Sequence, residues 1–335
     1  MKNLMNLIFA TLILSTALFT SCKEDNDVKV NAFGLMTDYM KENNLDLGNI
    51  IGDKTASPST FFATKAPASE AEIADWAAKF YIMDIRSSDD FASGHITGAE
   101  NVPFTNILTE ADNATKPILV VCYSGQSACY ATSLLRLYGH STAKALKWGM
   151  SSWNETFANH PSGWNNGIGN EAKSNLNWIT DAAPNNMVFN HPSISSTSTD
   201  GLAILKERVE AVVAGKFKGV KGTDVLTKPE DYHINNFFPE NDYTGFGHFN
   251  NAYRIKPLTI SNDEIKYLNP EETVVTYCYT GQTSAIITAY LRVLGYDAVS
   301  MKNGVNGVYN SHTRWNDIAN QWGGDSNPHN YPTVQ

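Results

Sequence analysis

Twice in this chain a cysteine closes an apolar run. Residues 120–139 read VVCYSGQSACYATSLLRLYG, and residues 274–295 read VVTYCYTGQTSAIITAYLRVLG. After Cys122 come Tyr123, Ser124, Gly125, Gln126 and Ser127; after Cys278 come Tyr279, Thr280, Gly281, Gln282 and Thr283. A helical pattern follows each short polar loop. The first backbone N–H groups of a helix have no partner inside it and point outward, toward whatever precedes it. The helix dipole alone contributes about 0.3–1 kcal/mol to a charge placed there, less than one pKa unit at about 1.36 kcal/mol. Charge-assisted N–H bonds at roughly 1.5–3 kcal/mol each weigh more. A cradle of such amides is expected to make a reactive thiolate near neutral pH. One cysteine in this setting reads as a small core residue; two in the same setting favour a thiol that is used.

The elements that hold these loops repeat as well. Aligning Cys122 with Cys278 places Arg136 and Arg292 at the same distance past the thiol, and likewise Gly139 and Gly295. Upstream, GHITGAENVP at 94–103 corresponds to GHFNNAYRIKP at 247–257; downstream, Trp148-Gly149 corresponds to Asn303-Gly304. Phe80 to Ile85 is a short apolar strand. Ile118 to Val121 is β-branched or Leu throughout, as a strand buried on both faces requires. Ala131, Leu134, Leu135 and Tyr138 recur at helical spacing, and so do Ile287, Tyr290, Leu291 and Leu294. Residues 32–42 and 201–213 carry further amphipathic helices. Strand, loop and helix in this order predict an α/β fold with parallel sheets, and in such sheets ligands bind beyond the carboxyl ends of the strands, where both cysteines lie.

The combination of Asp84-Ile85-Arg86, the 94–103 segment and Cys122-Tyr123-Ser124-Gly125-Gln126-Ser127 resembles the rhodanese (sulfurtransferase) family, over most of 70–155 and more loosely over 205–320. The resemblance implies two tandem domains, each a parallel sheet flanked by helices on both sides, with Cys122 and Cys278 as nucleophiles. Each thiolate would take the outer sulfur of a donor such as thiosulfate and pass it, as a persulfide, to a thiol or cyanide. The amides of Tyr123 to Ser127 and of Tyr279 to Thr283 would cradle that sulfur, and Arg86 would hold the donor unless it pairs with a carboxylate such as Asp90. Related phosphatases and arsenate reductases use a C-x5-R loop. Here the sixth position holds Ala128 or Ser284, so oxyanion chemistry of that kind is disfavoured. Both loops are uncharged, which speaks against efficient thiosulfate turnover and leaves persulfide donors open. In the second domain His233-Ile234-Asn235 stands as the replacement for Asp-x-Arg, making Cys278 the less certain site. Trp148 tolerates positive φ poorly, so the first domain's turn is expected to differ from that at Asn303. Cys129 reads as a core residue. The other reading of the whole is a catalytically weak module that binds persulfides or a protein partner.

Composition sets the remaining bounds. The 335 residues carry a net charge of −9 with no basic block, which argues against nucleic acid as a partner. Four cysteines, Cys22, Cys122, Cys129 and Cys278, make no disulfide framework, and no spacing suits a metal site. The His160-Pro161 and His191-Pro192 pairs read as turns. No cofactor is implied. Lys2 and the apolar stretch Leu4 to Leu18 form a signal segment too short for a membrane span. Small residues before Cys22 resemble the lipobox of bacterial lipoproteins. The expected organisation is a signal peptide over 1–21, an acidic tether over 22–30 lipidated at Cys22, domains over 31–158 and 201–335, and a connector over 159–200 crossing the surface. The expected place is the cell envelope, lipid-anchored at the outer membrane, facing the periplasm or the surface. The expected partners are a small sulfur donor, a thiol acceptor and, through the lipid, the membrane.

Overall fold

The computed structural model describes residues 31–335; the expected signal peptide over 1–21, the expected tether over 22–30 and the expected lipidation at Cys22 lie outside the described residues. Five strands form the first sheet: β1 (Ala63–Thr64), β2 (Tyr81–Asp84), β3 (Ala99–Asn101), β4 (Ile118–Val121) and β5 (Lys144–Leu146). They run parallel in the order β1-β5-β4-β2-β3. The connector contributes β6 (Trp178–Ile179). The second domain adds β7 (Gly219–Val220), β8 (His233–Asn236), β9 (His248–Phe249), β10 (Val274–Tyr277) and β11 (Ala298–Met301). Its parallel sheet has the order β7-β11-β10-β8, the same winding as the first sheet without its last strand. Two tandem α/β domains thus repeat one topology. The central strands β4 and β10 are buried along their whole length, which is why their sequences lack polar alternation.

Each central strand leads through its loop into a long helix, Gln126–Tyr138 in one domain and Gln282–Val293 in the other. Gly125 (φ 81°) and Gly281 (φ 73°) make the left-handed turn into these helices. The two helices pack on each other, and Ser133 Oγ donates to the Ile286 carbonyl at 3.1 Å across the interface. One hydrophobic cluster runs through both domains and contains Cys129, fully buried. The helices Ala32–Glu42 and Gly201–Ala214 pair at the start of each repeat.

Two expectations change here, and the chain's end makes a contact that no sequence feature announces. The connector does more than cross the surface: β6 pairs antiparallel with β9, and Trp164 is fully buried against Trp148 and Trp322, with ring centroids at 4.7 and 5.6 Å. The chain's end returns to the first domain, where His95 and Val334 exchange backbone hydrogen bonds and the Tyr331 hydroxyl donates to the Pro67 carbonyl. The turn at Trp148 does not differ from its counterpart: Trp148 (φ 67°) and Asn303 (φ 61°) both adopt the left-handed conformation, each followed by a positive-φ glycine. That backbone costs a bulky residue roughly 1–2 kcal/mol, and burial of the Trp148 indole in the three-tryptophan cluster offsets it.

Candidate active site

Sheet register corrects one assignment. Asp84 pairs with Val121, immediately before Cys122, and Asn236 pairs with Tyr277, immediately before Cys278. The counterpart of Asp84-Ile85-Arg86 is therefore Asn236-Phe237-Phe238, not His233-Ile234-Asn235. The local geometry agrees. Asp84 Oδ1 accepts from the Arg86 amide at 3.1 Å, and Asn236 Oδ1 accepts from the Phe238 amide at 2.8 Å. The Arg86 guanidinium lies 5.1 Å from the centre of the Tyr123 ring, and Phe238 stacks on Tyr279 at 4.4 Å. An aromatic ring has replaced an ion pair at the same place in the fold.

Arg86 pairs with Asp84 rather than Asp90. Its Nη2 lies 2.6 Å from Asp84 Oδ2 and donates to the Gly94 carbonyl at 2.8 Å; its Nε reaches both Asp84 oxygens at 3.0 Å. Both side chains are 1% exposed. Nε and Nη2 are thus engaged within the domain, whereas Nη1 is buried without a hydrogen-bond partner. Asp90 instead accepts from the Tyr123 hydroxyl at 2.8 Å, and Asp242 accepts from Tyr279 in the second domain.

Cys122 Sγ accepts from the amides of Gly125, at 3.2 Å, and Ala128, at 3.3 Å. Cys278 Sγ accepts from the Ser284 amide at 3.4 Å and lies 3.7 Å from the Ser284 hydroxyl. The cradle thus reaches one residue beyond the loops expected from the sequence, to Ala128 and Ser284 in the first turn of each helix. Counting the turn would have found them, because that turn carries the unpaired amides. Burial pushes the Cys122 thiol above its ordinary value, while the Ser127 hydroxyl and the amides of Ala128, Ser124 and Gly125 oppose it. The expectation of a Cys122 thiolate near neutral pH is therefore corrected: loss of solvent outweighs the donors. Iodoacetamide labelling of Cys122, followed by peptide mass, should run well below the rate of a free thiol at pH 7. It should still be climbing at pH 9–10, where a free thiol of pKa about 8.5 levels off. A plateau below pH 8 would contradict this.

The other loop residues hold the loops in place. Ser124 Oγ accepts from Gln126 Nε2 at 3.0 Å, and Gln126 Oε1 accepts from the Asn303 amide at 2.7 Å, tying the first loop to the turn beside the second. Thr280 Oγ1 accepts from the Gln282 amide at 3.3 Å. Gly149 and Gly304 press on the loops from below. A Cβ at Gly149 would lie 2.2 Å from the Cys122 carbonyl oxygen, and one at Gly304 2.2 Å from that of Cys278. Ser124, Gln126 and Ser127 line a cavity of about 530 Å³ between the domains, whereas Cys278 itself, with Tyr279, Thr280, Gln282 and Thr283, lines another of about 640 Å³.

His160 stacks on Tyr123 at 4.0 Å, and His191 stacks on Phe33 at 4.8 Å. Among the described residues no three His, Cys, Asp or Glu side chains are grouped to hold a metal ion, and no helix is long and apolar enough to cross a membrane.

The sequence model of the Rhodanese-like domain matches residues 68–156 and 229–311, just over half of the chain. The thiosulfate sulfurtransferase GlpE of Pseudomonas fluorescens (strain SBW25) is 36% identical over 78 residues, 23% of this chain and 72% of that protein. The GlpE of Shewanella oneidensis is 36% identical over 85 residues, 24% of this chain and 83% of that protein. Among solved structures, a thiosulfate sulfurtransferase from Pseudomonas aeruginosa matches at 16% identity with a TM-score of 0.28. That match covers 84% of this chain and 47% of the other, less than half its length, and a likeness so loose carries no argument about chemistry.

Proposed function

The chain belongs to the rhodanese-like domain family, and on that footing we propose that it moves sulfane sulfur from thiosulfate or a persulfide to a thiol or cyanide through a cysteine persulfide. The observation that carries the reading is the pair of amides, Gly125 and Ala128, aimed at Cys122 Sγ from the start of a helix, and the Ser284 amide aimed likewise at Cys278 Sγ. The Cys122 or Cys278 thiolate attacks the outer sulfur of thiosulfate. A new S–S bond forms, the bond to the sulfonate sulfur breaks, and its electron pair leaves with sulfite. An acceptor thiolate then attacks the terminal sulfur, and the enzyme thiolate departs with the pair of the broken S–S bond. N–H donors suit every anionic stage of this sequence.

The relatives' name is thiosulfate sulfurtransferase, which supports thiosulfate as one donor for this chain. The engaged Arg86 and the raised Cys122 thiol favour a second reading, a module that holds persulfides or a partner with little turnover. We place the protein at the cell envelope, anchored in a membrane by lipid on Cys22, with a small sulfur donor and a thiol acceptor as partners. The test is a gain of one cyanide-labile sulfur in intact mass after incubation with thiosulfate or an alkyl persulfide; absence of any gain from reduced, folded protein would leave the binding module.

A further inference from the structure

The two loops carry no charge, yet the cavity over Cys278 does. Four lysines line it together with Cys278, and none of its lining residues is acidic. Lys256 belongs to the second domain; Lys54, Lys65 and Lys147 come across the interface from the first. The cavity beside the first loop also draws lysines from the opposite domain, Lys221 and Lys302, but there Glu171 offsets them. In a chain of net charge −9, an all-cationic cleft around a thiol is a local reversal of sign, and such clefts concentrate ligands of opposite charge.

The lysines differ in how they are held. Lys54, Lys65 and Lys256 are exposed, whereas Lys147 is half-buried, its Nζ 2.7 Å from Asn320 Oδ1 and 5.2 Å from the centre of the Trp148 ring. Burial lowers its ammonium to about 8; Asp325 opposes that, and Lys65 and Lys54 push it further down. The group stays cationic at neutral pH. A second feature lies in the same wall: Gln282 lines the cavity, is 2% exposed, and its Nε2 has no hydrogen-bond partner. An unpaired buried donor beside four cations and a thiol is a site short of an acceptor.

We infer that the cavity over Cys278 is a composite site for a small anionic sulfur donor of the thiosulfate class, with its cations supplied mainly by the other domain through Lys54, Lys65 and Lys147. The sulfur-donor part rests on the function proposed above; the anion site stands on the lysines alone. Phe238 stands in the second domain where Arg86 stands in the first, and three of the four lysines around Cys278 come from across the interface.

The test separates the two. The full chain is labelled with iodoacetate, an anion, or iodoacetamide, its neutral analogue, and each cysteine is read by peptide mass. At Cys278 the rate ratio of iodoacetate to iodoacetamide should fall roughly tenfold in Lys54→Gln/Lys65→Gln and again in Lys147→Gln, with Lys147→Arg restoring it. Inorganic sulfate should slow Cys278 labelling in the wild type and not in the variants. The same ratio at Cys122 should not move, which also reports that the fold is intact. A Cys278 ratio unchanged by the exposed pair Lys54→Gln/Lys65→Gln and by Lys147→Gln overturns the anion site even if Cys278 accepts sulfur. A ratio that falls as expected upholds it, and if no cysteine then gains sulfur, only the transfer reading fails.

Discussion

Arg86→Ala should lower the free energy of unfolding by about 3–5 kcal/mol. The change strands a carboxylate: Asp84 is fully buried, and Arg86 supplies both its charge partner and most of its donors. It also removes a donor from the Gly94 carbonyl. The second domain shows the uncharged solution to the same geometry, with Asn236 and Phe238 in the two positions. Asp84→Asn/Arg86→Phe should therefore recover much of the loss, because replacing both members of a buried pair costs far less than removing one. Urea melts of wild type, single and double variants measure this. Were Arg86 a donor-binding residue instead, the single variant would melt near wild type and lose donor affinity.

Gly304→Ala should cut sulfur loading at Cys278 at least tenfold while leaving Cys122 near its wild-type level. Gly304 has φ 55°, which costs an L-residue roughly 1–2 kcal/mol, and its Cβ would overlap the Cys278 carbonyl oxygen at 2.2 Å and the Thr280 amide at 2.6 Å. Those atoms are backbone and have no rotamer to escape into. The loop must shift, and with it the approach of the Ser284 amide to Sγ, where a displacement near 1 Å costs about a hundredfold in well-organised sites. Gly149→Ala is the mirror experiment, since its Cβ would meet the Cys122 carbonyl at the same 2.2 Å. Peptide-level mass after exposure to an alkyl persulfide reads the two sites separately. Equal loss at both cysteines in either variant would mean that the turn supports the whole molecule rather than its own loop.

Much of this architecture is legible in the sequence because the repeat exposes it. The strand expected over Ile118 to Val121 is β4 to the residue, and the helix follows Gly125 as the polar loop foretells. What escaped depends on distance in the chain. Trp148 in a left-handed turn looks forbidden until Trp164 and Trp322 enclose it, and only the folded chain brings those rings together. The partner of Arg86 was missed because a bidentate bond to a side chain two residues back depends on the turn at Ile85 and on burial of both groups. The register of β8 was misassigned because Asn236-Phe237-Phe238 carries no charge to mark it. The lysines around Cys278 lie in segments of the first domain with no motif of their own, and the packing of the helices Gln126–Tyr138 and Gln282–Val293 sets the interface they cross. The rise of the Cys122 thiol follows from the depth of the strand end, which the sequence pattern of donors does not reveal.

The most direct measurement is the intact mass of the reduced protein before and after incubation with thiosulfate or an alkyl persulfide, in wild type, Cys122→Ala, Cys278→Ala and the double variant. The account predicts, for the chain from Lys23 onward, which leaves out Cys22, a cyanide-labile gain of one sulfur per competent site, lost stepwise with these two cysteines and absent from the double variant, where Cys129 remains but lies fully buried. A gain that persists in the double variant, or no gain in folded wild-type protein with either donor, would contradict it.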